Sequence, residues 1–247
     1  MLKIIYVLNY LIIFTILSTP TFDNVINNKI LQSVIAFKDD VIAVEEMGIQ
    51  EFKQKQILSK IYKANIVDNK IMELNYNQKN NTLCLALNIY NEARGSSVDD
   101  MIATSMTVFS RANDKKYANI NSRNVVCDVV FAKRQYSWTN VDEIKLPTEK
   151  AAWKKSQDLA FILMNDGQVK SRLKDINYKH YVSTKLYNSR SSTQWYKKAT
   201  HKVVIGKHTY LVFDDINNLK EIKKMQRTIN MVKMKLLAYN ITNKRKA

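Results

Sequence analysis

The stretch Leu83-Cys-Leu-Ala-Leu-Asn-Ile-Tyr-Asn-Glu-Ala-Arg-Gly95 decides how this chain folds. Its apolar residues would lie on every side of a helix, which is typical of a helix buried at the centre of a domain. Gly95 is placed to end that helix. A second helix follows directly, because Ser97 and Asp100 have the spacing of a capping box and an apolar stripe continues to about Arg111.

Three further elements are readable downstream of these two helices. Pro147-Thr148-Glu149 predicts the start of a third helix, which ends before Gly167. Residues 203–205 and 209–213 alternate around Gly206-Lys207, and a two-residue connection with glycine first predicts a β-hairpin. After the hairpin, apolar residues recur at three- and four-residue steps among lysines and arginines, which predicts a basic amphipathic helix.

Composition favours helices with few tight turns, so the chain is expected to be mainly helical with one small late hairpin. The 247 residues include only four glycines and two prolines, and 46% of them are apolar, which is enough for a core. Residues 4–17 form an apolar run shorter than the roughly 20 residues of a membrane span, which favours a signal peptide or signal anchor over a buried helix. The predicted divisions are a signal peptide or signal anchor over 1–20, a helical arm or linker over 21–80, a main domain over 81–213 and a basic helical tail over 214–247.

A strong positive charge narrows the class of partner. The net charge is +17, which points to nucleic acid, anionic lipid or bacterial wall polymer. The basic residues are not interleaved with aromatics in any recognisable nucleic-acid module, so nucleic acid is not expected. The sequence has no glycine-rich phosphate loop, and its three histidines and two cysteines lack the spacing of a zinc site. We therefore expect no cofactor and no metal.

The two cysteines leave two alternatives open. In an exported protein Cys84 and Cys127 would be joined as a disulfide. Two buried free thiols fit the composition equally well, because free cysteine behaves as a small apolar residue.

Glu92 carries the clearest chemical signal in the chain. A carboxylate in the last turn of an apolar helix is costly to bury unless it has a function or a partner. Burial and the negative end of the helix dipole should both raise its pKa, so that it can donate a proton near neutral pH. The alternative is a structural ion pair with Arg94 or another nearby cation.

A series of short motifs, in order along the chain, resembles the cell wall hydrolase family of the spore-cortex-lytic type, the SleB and CwlJ kind. The motifs are Leu85–Gly95, Ser110-Arg111, Val126-Cys-Asp-Val-Val130, Gln135-Tyr-Ser-Trp138, His180-Tyr181 and Val204-Ile-Gly-Lys-His208. The resemblance covers about residues 81–213. The sequence departs from the family pattern at Ser96, where an acidic residue is common, at Ser110, where asparagine is common, and at Tyr136, where phenylalanine is common.

The resemblance implies a mainly helical α+β domain that is lysozyme-like, or lytic transglycosylase-like. Such a domain would cleave the glycan strand of peptidoglycan between N-acetylmuramic acid and N-acetylglucosamine. It places Glu92 on the catalytic glutamate of the family. Polar aromatic and amide side chains suit the rings and N-acetyl groups of such a substrate. The predicted substrate-binding residues are Tyr90, Gln135, Ser137, Trp138 and Tyr181, and the predicted supporting residues are Arg94 and His180.

One glutamate is sufficient for a complete reaction on this substrate. After Glu92 protonates the glycosidic bond, the C6 hydroxyl of muramic acid can attack the anomeric carbon, so one residue serves as acid and then as base. Lytic transglycosylase chemistry is therefore predicted over muramidase-type hydrolysis of the same bond. The enzyme would act as a monomer, exported or membrane-tethered, with its basic tail on anionic wall polymer or a membrane surface. The competing hypothesis is a non-catalytic basic protein that binds membrane or nucleic acid.

Overall fold

The computed structural model describes residues 48–174, 176–189, 194–213 and 218–244, and Gln50–Ala247 form one compact unit. The predicted signal segment over 1–20 and residues 21–47 of the predicted arm lie outside the described residues. The helices are α1 (48–63), α2 (Asn69–Met72), α3 (Tyr76–Ala93), α4 (Val98–Ala112), α5 (Val125–Phe131), α6 (Lys150–Asn165), α7 (Gly167–Leu173), α8 (Thr184–Tyr187) and α9 (Asn218–Lys244). The strands are β1 (His180–Ser183), β2 (His201–Ile205) and β3 (His208–Val212), and short 3-10 helices cover Ser137–Thr139 and Trp195–Lys198. This mixed architecture agrees with the predicted α+β class.

Helix α3 is the central helix, as the sequence predicts. Asn75 caps its first turn, because the Asn75 side chain accepts a hydrogen bond from the backbone N–H of Gln78. Leu83, Leu85 and Ile89 are fully buried, because α4, α5 and α6 all pack against α3. Burial of each such side chain contributes roughly 1.5–3 kcal/mol, so the centre of α3 stabilises the fold strongly.

The helix boundaries follow the predicted caps with two differences. Ser97 caps α4 by accepting a hydrogen bond from the backbone N–H of Asp100, while the carboxylate of Asp100 turns away to the hairpin. Helix α6 starts after Glu149 as predicted and ends at Asn165. Gly167 does not terminate it as a cap but opens α7, because the Asp166 carboxylate accepts hydrogen bonds from the first backbone N–H groups of α7.

A three-stranded antiparallel sheet has the order β1-β3-β2. The hairpin of β2 and β3 confirms the prediction, and Gly206 at its turn has a φ of 58°, which suits a glycine-first turn. A side chain at Gly206 would also lie within 2.7 Å of Ser96 and Asp100, so the hairpin tip needs glycine for space as well. Strand β1 is a third, unpredicted strand, which pairs Tyr181 with Tyr210 on β3.

A disulfide joins Cys84 on α3 to Cys127 on α5, with the two Cα atoms 5.2 Å apart. This settles the alternative left open by composition in favour of the disulfide. The bridge spans a sequence separation of 43 residues, a loop for which the chain-entropy model gives roughly 4 kcal/mol of stabilisation. It fixes the position of α5 on the central helix.

Replacement of both cysteines by alanine should lower the free energy of unfolding by about 2–5 kcal/mol, because the unfolded chain gains conformational freedom. Urea-induced unfolding followed by circular dichroism measures this change. Reduction of the wild-type protein is the control and should give a similar loss. A double variant as stable as the oxidised protein would contradict the structural role of the bridge.

Residues on both sides of the predicted 81–213 domain belong to its core. Ile57 and Ile61 of α1 are buried in the same cluster as Ile229 and Val232 of α9. Helix α9 is also held at its surface, where Lys233 pairs with Asp99 and Lys235 with Asp166. The divisions at 81 and 213 therefore cut through one packed unit, and residues predicted as arm and tail complete its core. Of the described helices, none is long and apolar enough to cross a membrane.

A fragment of residues 81–213 should accordingly fail to fold cooperatively, whereas a fragment of residues 50–247 should fold. Loss of several buried apolar side chains at roughly 1.5–3 kcal/mol each exceeds the usual stability of about 5–15 kcal/mol. Thermal unfolding of the two fragments, followed by circular dichroism, provides the comparison. A sharp transition in the shorter fragment would show that α1 and α9 are dispensable for the fold.

Candidate active site

Glu92 lies in the last turn of α3, where the helix emerges from the core. Its side chain is half-buried, and the hydroxyl of Tyr181 on β1 donates a hydrogen bond of 2.9 Å to its Oε2 atom. The predicted catalytic glutamate and a predicted substrate-binding tyrosine are thus brought together. The hydrogen-bond donor to the Glu92 carboxyl therefore comes from the small sheet.

Burial raises the pKa of the Glu92 carboxyl above its ordinary value. The hydrogen bond from Tyr181 and the electrostatic influence of His208 and Arg111 act in the opposite direction, but burial outweighs them. This direction confirms the expectation for a carboxylate at the edge of an apolar core. A carboxyl with a raised pKa retains its proton to higher pH and can therefore act as a general acid.

Arg94 has a structural role at the end of α3. Its Nε donates to Glu149 Oε1 at 2.7 Å, and its Nη1 donates to the backbone oxygen of Tyr90 at 3.3 Å. An ion pair of Glu92 with Arg94 is therefore wrong, although Arg111 and His208 do act electrostatically on the Glu92 carboxylate. Arg94 ties the end of α3 to the start of α6 and leaves the Glu92 carboxyl to Tyr181.

Tyr90 does not offer a sugar-binding face. Only 5% of it is exposed, and its ring packs edge-on against Trp153 at a centroid distance of 6.0 Å. Its hydroxyl oxygen accepts hydrogen bonds from the backbone N–H groups of Thr148 and Glu149, both at 3.1 Å. These are the residues just before α6, so Tyr90 positions that helix and the prediction of substrate contact is corrected.

The predicted sugar-binding loop is anchored to α3 one turn before Glu92. Trp138 Nε1 donates to Asn88 Oδ1 at 3.2 Å, and the indole packs edge-on against Phe131. Asn88 and Glu92 are four residues apart, so they lie on the same face of α3. Gln135 is partly exposed and Ser137 is exposed on this loop, so both side chains are open to solvent.

A second group of polar residues near Glu92 was missed by the sequence reasoning. Asp100 is fully buried and accepts hydrogen bonds from Tyr210 at 2.6 Å, from the backbone N–H of Lys207 at 2.9 Å and from Ser96. His208 Nδ1 is 3.0 Å from both carboxylate oxygens. No sequence signal indicates that Asp100 binds the hairpin, because an aspartate at the third position of α4 is also what ordinary helix capping would place there.

Burial alone would raise the pKa of Asp100, but the hydrogen bonds from His208, Ser96 and Tyr210 outweigh burial and lower it. Asp100 is therefore a buried, ionised carboxylate whose oxygens accept hydrogen bonds from these side chains. Its partners pack around the tyrosine that contacts Glu92, because the ring of Tyr181 lies 4.9 Å from His208 and 5.5 Å from Tyr210. Asp100 thus positions Tyr181 through the hairpin.

Three buried polar atoms of this region lie close to one another without a well-aligned hydrogen bond among the described residues. They are Asn88 Nδ2, Arg111 Nη1 and Tyr136 Oη. The guanidinium of Arg111 lies 5.2 Å from the ring centre of Tyr136, and its Nε donates to the backbone oxygen of Lys179 at 2.8 Å. Burial raises the pKa of the Tyr136 hydroxyl, and it outweighs the opposing charge of Arg111. The charge of Glu92 raises this pKa further, which places the hydroxyl in the electrostatic field of the acid.

His180, predicted as a supporting residue, lies away from Glu92. It is adjacent to Tyr181 on β1, and successive strand residues face opposite sides of a sheet. Its Nε2 atom is 3.0 Å from the hydroxyl of Tyr117, on the far side from the acid. Over the described ranges, no group of three or more His, Cys, Asp or Glu side chains is arranged to hold a metal ion.

No family model, no curated protein and no solved structure matches this chain. The chemistry of the site therefore has to be inferred from its own geometry. Its central feature is a half-buried acid with a tyrosine donor, next to a loop with an anchored tryptophan.

Replacement of Tyr181 by phenylalanine should raise the pKa of Glu92, because it removes a hydrogen bond that stabilises the carboxylate. The protonated form of Glu92 would then persist to higher pH than in the wild-type protein. Carbon NMR titration of labelled glutamate carboxyl groups measures the shift. Tyr187→Phe is the matched control and should leave the Glu92 titration unchanged. An unchanged titration in Tyr181→Phe would mean that this hydrogen bond does not tune the acid.

Proposed function

We propose that this protein cleaves the glycan strand of peptidoglycan between N-acetylmuramic acid and N-acetylglucosamine, as a lytic transglycosylase. The observation that carries the proposal is the Glu92 carboxyl, half-buried, raised in pKa and hydrogen-bonded by Tyr181. Its motif context, Glu92-Ala-Arg-Gly95, belongs to the ordered set of motifs that resembles the cell wall hydrolases. No cofactor or metal is needed for this reaction.

In the first step, protonated Glu92 donates its proton to the glycosidic oxygen that leaves with N-acetylglucosamine. The bond from that oxygen to the anomeric carbon of N-acetylmuramic acid breaks, and positive charge develops at the anomeric carbon. Glu92 becomes a carboxylate, which the Tyr181 hydroxyl and the nearby charge of Arg111 stabilise. A raised pKa favours the donation, and these partners keep the ionised form accessible.

In the second step, the C6 hydroxyl of the same muramic acid attacks its anomeric carbon. The Glu92 carboxylate accepts the hydroxyl proton as the new carbon–oxygen bond forms. The product is a 1,6-anhydromuramic acid end, and Glu92 is again protonated for the next cycle. One residue thus completes the reaction, and water is not consumed.

The surroundings of Glu92 support a one-carboxylate mechanism. Glycosidases with two carboxylates need the second one as a nucleophile or as a base that activates water. Asp100 could be considered for this second role, but it is fully buried. Its oxygens already accept hydrogen bonds from the hairpin and from Ser96. Glu149 is paired with Arg94. These engagements favour attack by the substrate's own hydroxyl over hydrolysis.

We infer that the fold is lysozyme-like. A buried central helix carries the acid in its last turn, and a small antiparallel sheet faces that turn through Tyr181. The loop with Gln135, Ser137 and Trp138 would hold the sugar rings beside the acid. The resemblance of residues 81–213 to the cell wall hydrolases points to the same arrangement.

The proposed place of action is the bacterial cell wall, outside the cytoplasm, where the protein would act as a monomer. A disulfide such as Cys84–Cys127 persists in oxidising compartments. The exposed side of α9 carries apolar residues among lysines, which suits attachment to a membrane surface or, through charge, to anionic wall polymer. The exposed apolar residues are Met234, Leu237 and Ile241.

Replacement of Glu92 by glutamine should reduce cleavage of purified peptidoglycan at least about a hundredfold, because the amide cannot donate the proton. Glu73→Gln, which alters an exposed glutamate at the end of α2, is the matched control and should retain full activity. Mass spectrometry of the wild-type digest should show fragments ending in anhydromuramic acid.

Three other results would contradict the proposed reaction. Reducing-end muropeptides without the anhydro mass would replace the transglycosylase with a muramidase that hydrolyses the same bond. Near-normal cleavage by Glu92→Gln would remove Glu92 from its catalytic role. Wild-type protein that clears no embedded cell wall in a zymogram would favour a basic binding protein without catalysis.

A further inference from the structure

The small sheet has an outer face, which is turned away from Glu92. Tyr181 of β1 faces Glu92, and its pairing partner Tyr210 of β3 faces Asp100. The neighbouring residues, His180 on β1 and Leu211 on β3, point to the other side because side chains alternate along a strand. The sheet therefore separates the acid from whatever lies against its outer face.

A cleft of about 400 Å³ lies against this outer face. It is distinct from the Glu92 site, because its lining includes neither Glu92 nor the side chains that hydrogen-bond to Glu92 or Asp100. His180 and Leu211 line it from the side of the sheet opposite to Tyr181 and Tyr210. Its lining is mainly aromatic and basic. The lining residues that carry the argument are Lys116, Tyr117, Lys179, His180, Trp195 and Phe213.

The aromatic wall of the cleft is built around Trp195. This residue is 51% exposed, and its ring lies 5.5 Å from that of His180 and 5.8 Å from that of Phe213. The ring of His180 is in turn held by a contact of 3.0 Å with the hydroxyl of Tyr117. A supported aromatic ring with a large solvent-exposed fraction offers a flat face and a hydrogen-bonding edge, which suits a pyranose ring.

The charge of the cleft favours an anionic ligand. Lys116 is exposed at the cleft, and Lys179 pairs with Asp114 at 2.6 Å. Two lysines against one aspartate leave a net positive charge. The same hydrogen bond from Lys179 lowers the pKa of Asp114, so the one carboxyl group of the lining stays ionised and is unsuited to act as an acid.

We propose that this cleft is a second saccharide site, which binds an anionic stretch of wall glycan without cleaving it. The ring of Trp195 would stack on a sugar, while Lys116 and Lys179 would bind carboxylates of the lactyl groups or stem peptides. The choice of polymer rests on the proposed function, whereas the cleft itself does not. A glycan strand held on the outer face would keep the protein on the wall between cleavage events at Glu92.

The test uses the full chain with Glu92→Gln, so that the polymer is bound but not consumed. Co-sedimentation with purified peptidoglycan sacculi gives the dissociation constant for this parent and for Trp195→Ala and Lys116→Glu variants. Each variant should bind about three- to tenfold more weakly, which corresponds to the loss of one aromatic or charged contact. Circular dichroism confirms that each variant is folded.

Matched controls change the same residue types outside the cleft. Lys115→Glu reverses the adjacent lysine, which is exposed and does not line the cleft. Tyr76→Ala removes a 71% exposed aromatic at the start of α3. Both controls should bind like the parent. Parent-like binding by Lys116→Glu and a folded Trp195→Ala would overturn the proposal, and so would equally strong competition by a single-stranded oligonucleotide or by a neutral chitin oligosaccharide.

The two proposals can fail separately. With Glu92 intact, Trp195→Ala should cleave short soluble glycan fragments at the wild-type rate but act more slowly on whole sacculi. Loss of sacculus binding in the cleft variants, combined with a wild-type protein that cleaves nothing, would retain the second site and reject the enzyme. Normal cleavage by the wild-type protein, combined with unaltered sacculus binding in the cleft variants, would retain the enzyme and reject the second site.

Discussion

Burial of α3 is the constraint on which the rest of this structure depends. Apolar side chains around its whole circumference require neighbours on every side, and α4, α5 and α6 provide them, with a disulfide to α5. Only its first and last turns reach the surface, and Glu92 lies in the last. The same helix therefore forms the core and places a carboxyl group at its edge, where partial burial raises the pKa and a single tyrosine donor moderates it.

The carboxylate of Asp100 determines where the sheet lies relative to that edge. It engages the hairpin through the Lys207 backbone, His208 and Tyr210, and the close approach is possible because residue 206 is glycine. Tyr181 then packs on the rings of His208 and Tyr210 and reaches Glu92. A buried ion that is fully hydrogen-bonded thus acts at a distance on the acid, through packing and not through direct contact.

Local patterns explain which parts of the fold were predictable. Helices α3, α4 and α6 and the β2–β3 hairpin carry periodicity, caps and turn residues within their own segments. Strand β1 has only four residues, three of them partly buried, and shows no alternation to recognise. The divisions at 81 and 213 were placed where motifs stop, but α1 and α9 fill the core by contacts that no local pattern reports.

The candidate site divides in the same way. By itself the sequence determined that Glu92 lies in the last turn of a buried helix, because this follows from neighbours along the chain. It also predicted a loop with exposed aromatics around Trp138, which is wrong, because Trp138 lies in a short 3-10 helix and packs on Phe131 of the core. Only the tertiary structure decided that Tyr181, 89 residues away, contacts the acid, that Tyr90 belongs to the start of α6 and that His180 faces another cleft. These assignments depend on which side of a short strand or helix end meets a distant element, and that choice is made by packing of the whole core.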